Sequence, residues 1–216
     1  MRHTVYCRNI LICNFIPIDM NPIQMPLVVA PIFEQYYPEE TLCRQILVEH
    51  SYRVAQKALE IAGLHPHWDL NLEFIEEAAW LHDIGVDACH APKIGCYGER
   101  PYIYHGLVGA ERLRAAGLEA HALVAERHTG TGLYHHTILQ RGWDFPVDRV
   151  YVPQSLEEII ICVADKFFSK TEPTEEKSYE QILRGLSRFG EDDVIRFKAW
   201  YKMLFDTGTS AEAVEV

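Results

Sequence analysis

From Pro38 onward, apolar positions along the chain recur with a helical period. Leu42, Ile46, His50, Val54 and Ala58 fall at i, i+4 spacing and Gly63 closes the run, which predicts an amphipathic helix carrying a histidine inside its apolar stripe. Asn71 can cap a second helix that puts Leu72, Ile75, Ala79 and His82 on one face, with Gly85 as its stop. A loop containing Gly and Pro follows from Val86 to Tyr102. Further helices are expected over about 104–116 and 118–127, separated by Gly117. After a second loop rich in Gly, His and Pro, three more are expected over about 155–170, 175–187 and 191–205. No strand-length alternation or internal repeat interrupts the pattern, so the fold class is all-α, a helical bundle.

The first 38 residues differ. Five of the eleven prolines (Pro17, Pro22, Pro26, Pro31 and Pro38) fall there and exclude a long helix. The expected organisation is an extended Pro-rich N-terminal arm over 1–38, a helical domain over 39–206 and a short acidic tail over 207–216. With few charges and many aliphatics, the arm is expected to pack along the domain or along a second subunit, as in a homodimer. Arg2 and Arg8 precede the apolar tract Ile10 to Ile18 in the manner of a secretory signal, but Asn14, Pro17 and Asp19 interrupt it.

Composition narrows the partners. Lys plus Arg number 20 against 31 Asp plus Glu, a formal net charge of -11, which repels phosphate backbones and anionic lipid at long range. No nucleic-acid polymer and no membrane is therefore expected as a partner. A small anion stays admissible, because a bound metal reverses the field locally. The six cysteines are scattered without a C-x-x-C pair and read as reduced thiols of a cytoplasmic protein, although an even count leaves room for one bridge such as Cys89 to Cys96.

Six residues spread over five helices or helix ends carry the candidate chemistry: His50, His82, Asp83, His105, His128 and Asp165. Any one histidine on an apolar face reads most simply as a packed core residue, and His65, His67, His135 and His136 are assigned that way. The conjunction is harder to explain by packing. His50 takes a position where an aliphatic is expected, and His-Asp closes an otherwise apolar helix; burying those groups unpartnered costs several kcal/mol. Four imidazoles and two carboxylates suit borderline and hard divalent metals, and six ligands exceed what one open catalytic site needs, so two metals fit with Asp83 as the bridge.

The words HSYRVA (50–55), LHDIG (81–85), HGLVGA (105–110), ERHTG (126–130) and VADK (163–166) occur in the order found in the HD-domain phosphohydrolase superfamily, and the chain resembles a member from about His50 to Lys170. Its six-ligand set is similar to the branch that includes the symmetrical diadenosine tetraphosphate hydrolases. The resemblance implies one divalent metal held by His50, His82, Asp83 and Asp165, and a second held by Asp83, His105 and His128. Iron heads the expected metals, ahead of manganese, nickel, cobalt and zinc. A shared water would attack a phosphoester or phosphoanhydride of a nucleotide or other small phosphorylated substrate. His82, Asp83 and Lys166 are the expected catalytic residues, with Arg127, Thr129, Gly130, Lys166, Lys93 and Arg100 as expected substrate contacts. One departure stands out: many relatives carry Lys directly after HDIG, whereas here Val86 and Asp87 follow, so Lys93, Arg100 or Lys166 is expected to substitute. The rival readings are a di-iron oxygenase of the same superfamily and a nucleotide-binding regulatory module without turnover.

Overall fold

The computed structural model describes residues 23–206, and these form nine α-helices and one minimal β-hairpin. In chain order they are α1 (Val29–Tyr36), α2 (Leu42–Gly63), α3 (Leu72–Leu81), β1 (His90–Ala91), β2 (Cys96–Tyr97), α4 (His105–Ala115), α5 (Glu119–Arg127), α6 (His135–Arg141), α7 (Leu156–Lys166), α8 (Tyr179–Leu186) and α9 (Glu191–Phe205). Side-chain caps set several starts, since the first amides of a helix have no partner within it. Thr41, Asn71 and Ser155 accept from the amides of Arg44, Phe74 and Glu158, and Ser178 forms a reciprocal box with Gln181.

Helix α2 lies against α3 and α7, and α4 pairs with α5. Between them, Val54, Ile61, Ile75, Trp80, Leu113, Val124, Ile160 and Phe197 are buried in one core. A smaller cluster of Leu107, Leu133, Ile138, Phe145 and Tyr151 sits under the loops on either side of α6. Among the described residues no helix is long and apolar enough to cross a membrane.

Several expectations need correction. The N-terminal segment is not extended where it is described: residues 29–36 form α1, with Val29, Ile32 and Phe33 buried. Pro31 is tolerated because it occupies the first turn, where its missing N–H would have no intrahelical acceptor. Residues 1–22 and the tail from 207 lie outside the described residues. The apolar stripe of α2 also drifts. Each i, i+4 step overshoots a full turn by about 40°, so Leu42 is exposed while Cys43 and Leu47 take the core positions beside His50 and Val54. Helix α6 falls in a stretch expected to be loop, and the loop after Gly85 is shaped by 3-10 turns and the β1–β2 pair, His90 opposite Tyr97.

Helix α1 is clasped to the turn that follows α3. The Tyr37 hydroxyl lies 3.0 Å from the Ile84 carbonyl oxygen and 2.9 Å from Asp87 Oδ1. Arg112 of α4 donates to the same carbonyl, forks onto Asp87 and stacks 4.3 Å from the Tyr36 ring. Phe33 meets Trp80 edge-to-face at 6.0 Å. Phe33→Ala should therefore cost about 3–5 kcal/mol, read as a lower urea midpoint with an unchanged slope. A midpoint equal to that of the parent would show that α1 is dispensable to the core.

Candidate metal centre

Five elements bring the six predicted ligands to one point. His50 projects from the middle of α2, His82 caps the end of α3 with Asp83 next to it, His105 opens α4, His128 caps α5 and Asp165 lies near the end of α7. His50, His82 and Asp83 are fully buried, and the other three nearly so. Glycine permits the convergence. A Cβ on Gly85 would fall 2.3 Å from the His105 carbonyl oxygen, and one on Gly106 would fall 2.4 Å from that of Ala125. Without side chains there, α4 can lie directly on the HDIG turn and on α5, which brings His105 to His128.

The two oxygens of Asp83 face different neighbours. Oδ2 lies 3.1 Å from His50 Nε2 and 2.9 Å from His82 Nε2, and both rings also approach Asp165 Oδ1, at 3.1 and 3.4 Å. Oδ1 lies 3.3 Å from His105 Nε2 and 3.4 Å from His128 Nε2. The ligand atoms thus form two groups, His50–His82–Asp83–Asp165 and Asp83–His105–His128, that share only Asp83.

Three histidines are oriented by one device. Nδ1 of His82, His105 and His128 lies 2.6, 2.6 and 2.8 Å from the carbonyl oxygen three residues earlier, that of Ala79, Tyr102 and Ala125 respectively. A carbonyl can only accept, so each Nδ1 carries a proton and each Nε2 faces the centre, as a lone pair wherever the ring is neutral. Two such lone pairs, on His105 and His128, then face each other 3.1 Å apart. Between them only a cation or a proton relieves the repulsion. Among the described residues His50 Nε2, His82 Nε2 and Asp83 Oδ1 are buried with no hydrogen-bond partner, a costly state for groups of this polarity. A divalent cation in each group would satisfy all of them, so the residues fit metal ions.

Protonation follows the same logic. Burial pushes His105 down to about 3 and lowers His128, which keeps both imidazoles neutral, as ligands must be. Burial opposes charge on Asp83 and Asp165, yet His82 and Lys170 hold the first, and Lys166 with His50 the second, well below the usual carboxylate range. His82 is drawn up to about 9, burial opposing and Asp83 favouring its charge.

A cavity of about 650 Å³ opens over His105, His128 and Asp165. Of the expected substrate contacts, Lys93, Thr129, Gly130 and Lys166 line it. Lys166 Nζ donates to Asp165 Oδ2 at 2.6 Å and to the His128 carbonyl at 3.1 Å. Arg127 and Arg100 do not line the cavity. Arg127 is turned away by the roughly 100° step from His128 and forks onto Glu158 at 2.9 and 3.1 Å, while Arg100 is exposed beside the hairpin. Thr131, in the same Thr-Gly loop, spends its amide and hydroxyl on Asp193, at 2.8 and 2.9 Å. His65, His67, His121, His135 and His136 lie outside both ligand groups; His121 pairs with Glu77 and His65 stacks on Trp68.

The residue that sequence reasoning missed is Lys170. Its Nζ lies 2.5 Å from Asp83 Oδ2 and 5.9 Å from the centre of the Tyr102 ring, on the cavity wall. Beyond the HDIG turn itself, Val86 is buried and Asp87 is occupied by Arg112. The only signal for Lys170 was a position four residues after Lys166. A helix continued to 170 would have carried it past the site; α7 ends at Lys166 instead and the chain turns back.

A helical bundle converging imidazoles and carboxylates on a buried point, with ligand groups fit for divalent cations, defines a metal-site protein of the all-α class. The HD domain family matches residues 47–169, more than half of the chain, and the protein belongs to that family. Over 139 residues it is 34% identical to an uncharacterized protein of Methanocaldococcus jannaschii, spanning 63% of this chain and 74% of that one. It is also 32% identical over 124 residues to a tRNA (cytidine(56)-2'-O)-methyltransferase of Thermoplasma volcanium and 28% identical over 145 residues to one of Picrophilus torridus. These matches span 57% and 62% of this chain but only 32% and 38% of the methyltransferases. No solved structure matches.

The geometry predicts unequal effects of ligand loss. Asp83→Ala should lose most metal from both groups, whereas His128→Ala should keep the ion at His50, His82 and Asp165; elemental analysis per chain separates the two. Full metal retention in Asp83→Ala would remove the sharing role of that carboxylate.

Proposed function

We propose that this protein is a dinuclear metal-dependent phosphohydrolase acting on a small phosphorylated substrate, a nucleotide in the first instance. The observation that carries the reading is the division of Asp83 between two ligand groups whose members His105, His128 and Asp165 line a lysine-bearing cavity. Divalent ions bound in the two groups, with iron, manganese, nickel, cobalt and zinc as candidates, supply an acidified water and a Lewis-acid contact to the phosphoryl oxygen.

The chain's own residues supply position and charge. The carbonyl bonds to Nδ1 of His82, His105 and His128 fix the ring planes, so the ligands are preorganised before substrate arrives. Lys166 and Lys170 place ammonium groups beside Asp165 and Asp83, within reach of non-bridging phosphate oxygens. Lys93 and Lys177 add cations to the same wall, and Asp165 is the only carboxylate lining it. Ile94, Tyr102, Phe168 and Phe189 make the remaining wall apolar, which suits the body of a nucleoside. Symmetrical diadenosine tetraphosphate is the finer candidate within this class. Methyl transfer is not carried over from the two tRNA methyltransferases, because the matched segments make up only about a third of each.

The test is phosphate and nucleotide release from a panel including p-nitrophenyl phosphate and diadenosine tetraphosphate, with added metals, with and without oxygen. Oxygen-independent hydrolysis abolished by chelation is expected; oxygen uptake without hydrolysis would move the assignment to a di-iron oxygenase, and tight nucleotide binding without product to a regulatory module. Lys170→Met should lower kcat/KM about 100-fold while metal content stays intact. Arg127→Met should leave kcat/KM within about 3-fold, since its guanidinium is committed to Glu158.

A further inference from the structure

Cys43 and Cys96 lie in different elements, 53 residues apart, yet their sulfurs stand 2.8 Å from each other. That is well inside the contact distance of two non-bonded sulfur atoms. Both thiols are buried, 5% and 1% exposed, in the first turn of α2 and at the start of β2. The chain around them is shaped for this approach. Gly95 has φ +73, and a Cβ there would meet the Cys43 amide nitrogen at 2.9 Å and Leu42 Cβ at 3.0 Å. Only glycine lets the hairpin close onto the start of α2 and deliver Cys96 to Cys43. The bridge that the sequence allowed, Cys89 to Cys96, is not the pairing the fold sets up.

We infer that Cys43 and Cys96 are a disulfide-forming pair, a modification site that ties the cavity wall to the helix carrying His50. The wall residues Ala91, Pro92, Lys93 and Ile94 belong to the segment that the bond would hold. At this separation either sulfur can donate the shared hydrogen bond, so either can open the reaction as the thiolate. With a hydroperoxide as oxidant, one thiolate of the pair, that of Cys43 for instance, attacks the O–O bond, leaving a sulfenic acid and releasing an alcohol or water. The Cys96 sulfur then displaces water from that sulfenic acid. Two thiols and one hydroperoxide thus become one disulfide, one alcohol or water, and one further water, with two electrons passing from sulfur to oxygen.

The inference does not depend on the proposed hydrolase activity, and its test reads mass and stability. The full-length, metal-loaded protein is treated with hydrogen peroxide, denatured, alkylated and digested without reduction. A linked Cys43–Cys96 peptide is expected, with a Tm higher than the reduced form by roughly 6–15 °C that reverses with dithiothreitol. Cys43→Ala should abolish that rise. Recovery of both cysteines alkylated, over-oxidised or joined to other cysteines overturns the pairing, and a linked peptide without a rise in Tm overturns the stapling of the wall.

Discussion

The bundle is organised around the cost of burying one carboxylate. Asp83 is fully enclosed: Lys170 Nζ reaches Oδ2, and Oδ1 faces imidazole nitrogens alone among the described residues. A charge in that position demands compensation, and the fold directs α2, α3, α4, α5 and α7 at it, so that imidazole nitrogens surround both oxygens within 3.4 Å. Neutral imidazoles alone do not balance a carboxylate. Lys166 and Lys170 meet Asp165 Oδ2 and Asp83 Oδ2, while Asp83 Oδ1 and the facing nitrogens of His105 and His128 have only one another, and a bound cation resolves what hydrogen bonds there do not.

Convergence of five elements requires backbones closer than side chains usually allow. The glycines in HDIG and HGLVGA answer that need by steric absence, one against His105 and the other against Ala125. The backbone carbonyls at positions 79, 102 and 125 answer a second need, holding each ring from behind at a helix end. The ends of α3 and α5 are suited to this role, since the last carbonyls of a helix have no intrahelical donor. Behind the HDIG turn, Tyr37 and Arg112 anchor Ile84 and Asp87, so Asp87 is given over to bracing the turn while Val86 beside it is buried.

Helical periodicity made the bundle legible, because amphipathic stripes, Asn71 and Gly63 are local signals. The six ligands were legible for the opposite reason: polar groups in apolar positions contradict the pattern around them. Lys170 was not, since its placement follows from where α7 stops and how the next loop turns, which no local spacing records. The exclusion of Arg127 is equally tertiary; its neighbour His128 faces the centre, and Glu158, 31 residues away, claims the guanidinium. The short helix α1 was hidden by counting prolines without asking which turn each would occupy. The Cys43–Cys96 contact, bridging 53 residues, carries no sequence spacing at all.

The segment shared with other HD domains ends at residue 169, and all six metal ligands lie within it. The cavity does not. Lys170, Lys177, Ile182, Leu186 and Phe189 come from the chain beyond that boundary, much of it on α8. The ligand groups and part of the cavity wall thus come from different stretches of sequence, so two proteins alike across residues 47–169 can share the buried cluster and yet differ in the shape of the hollow above it.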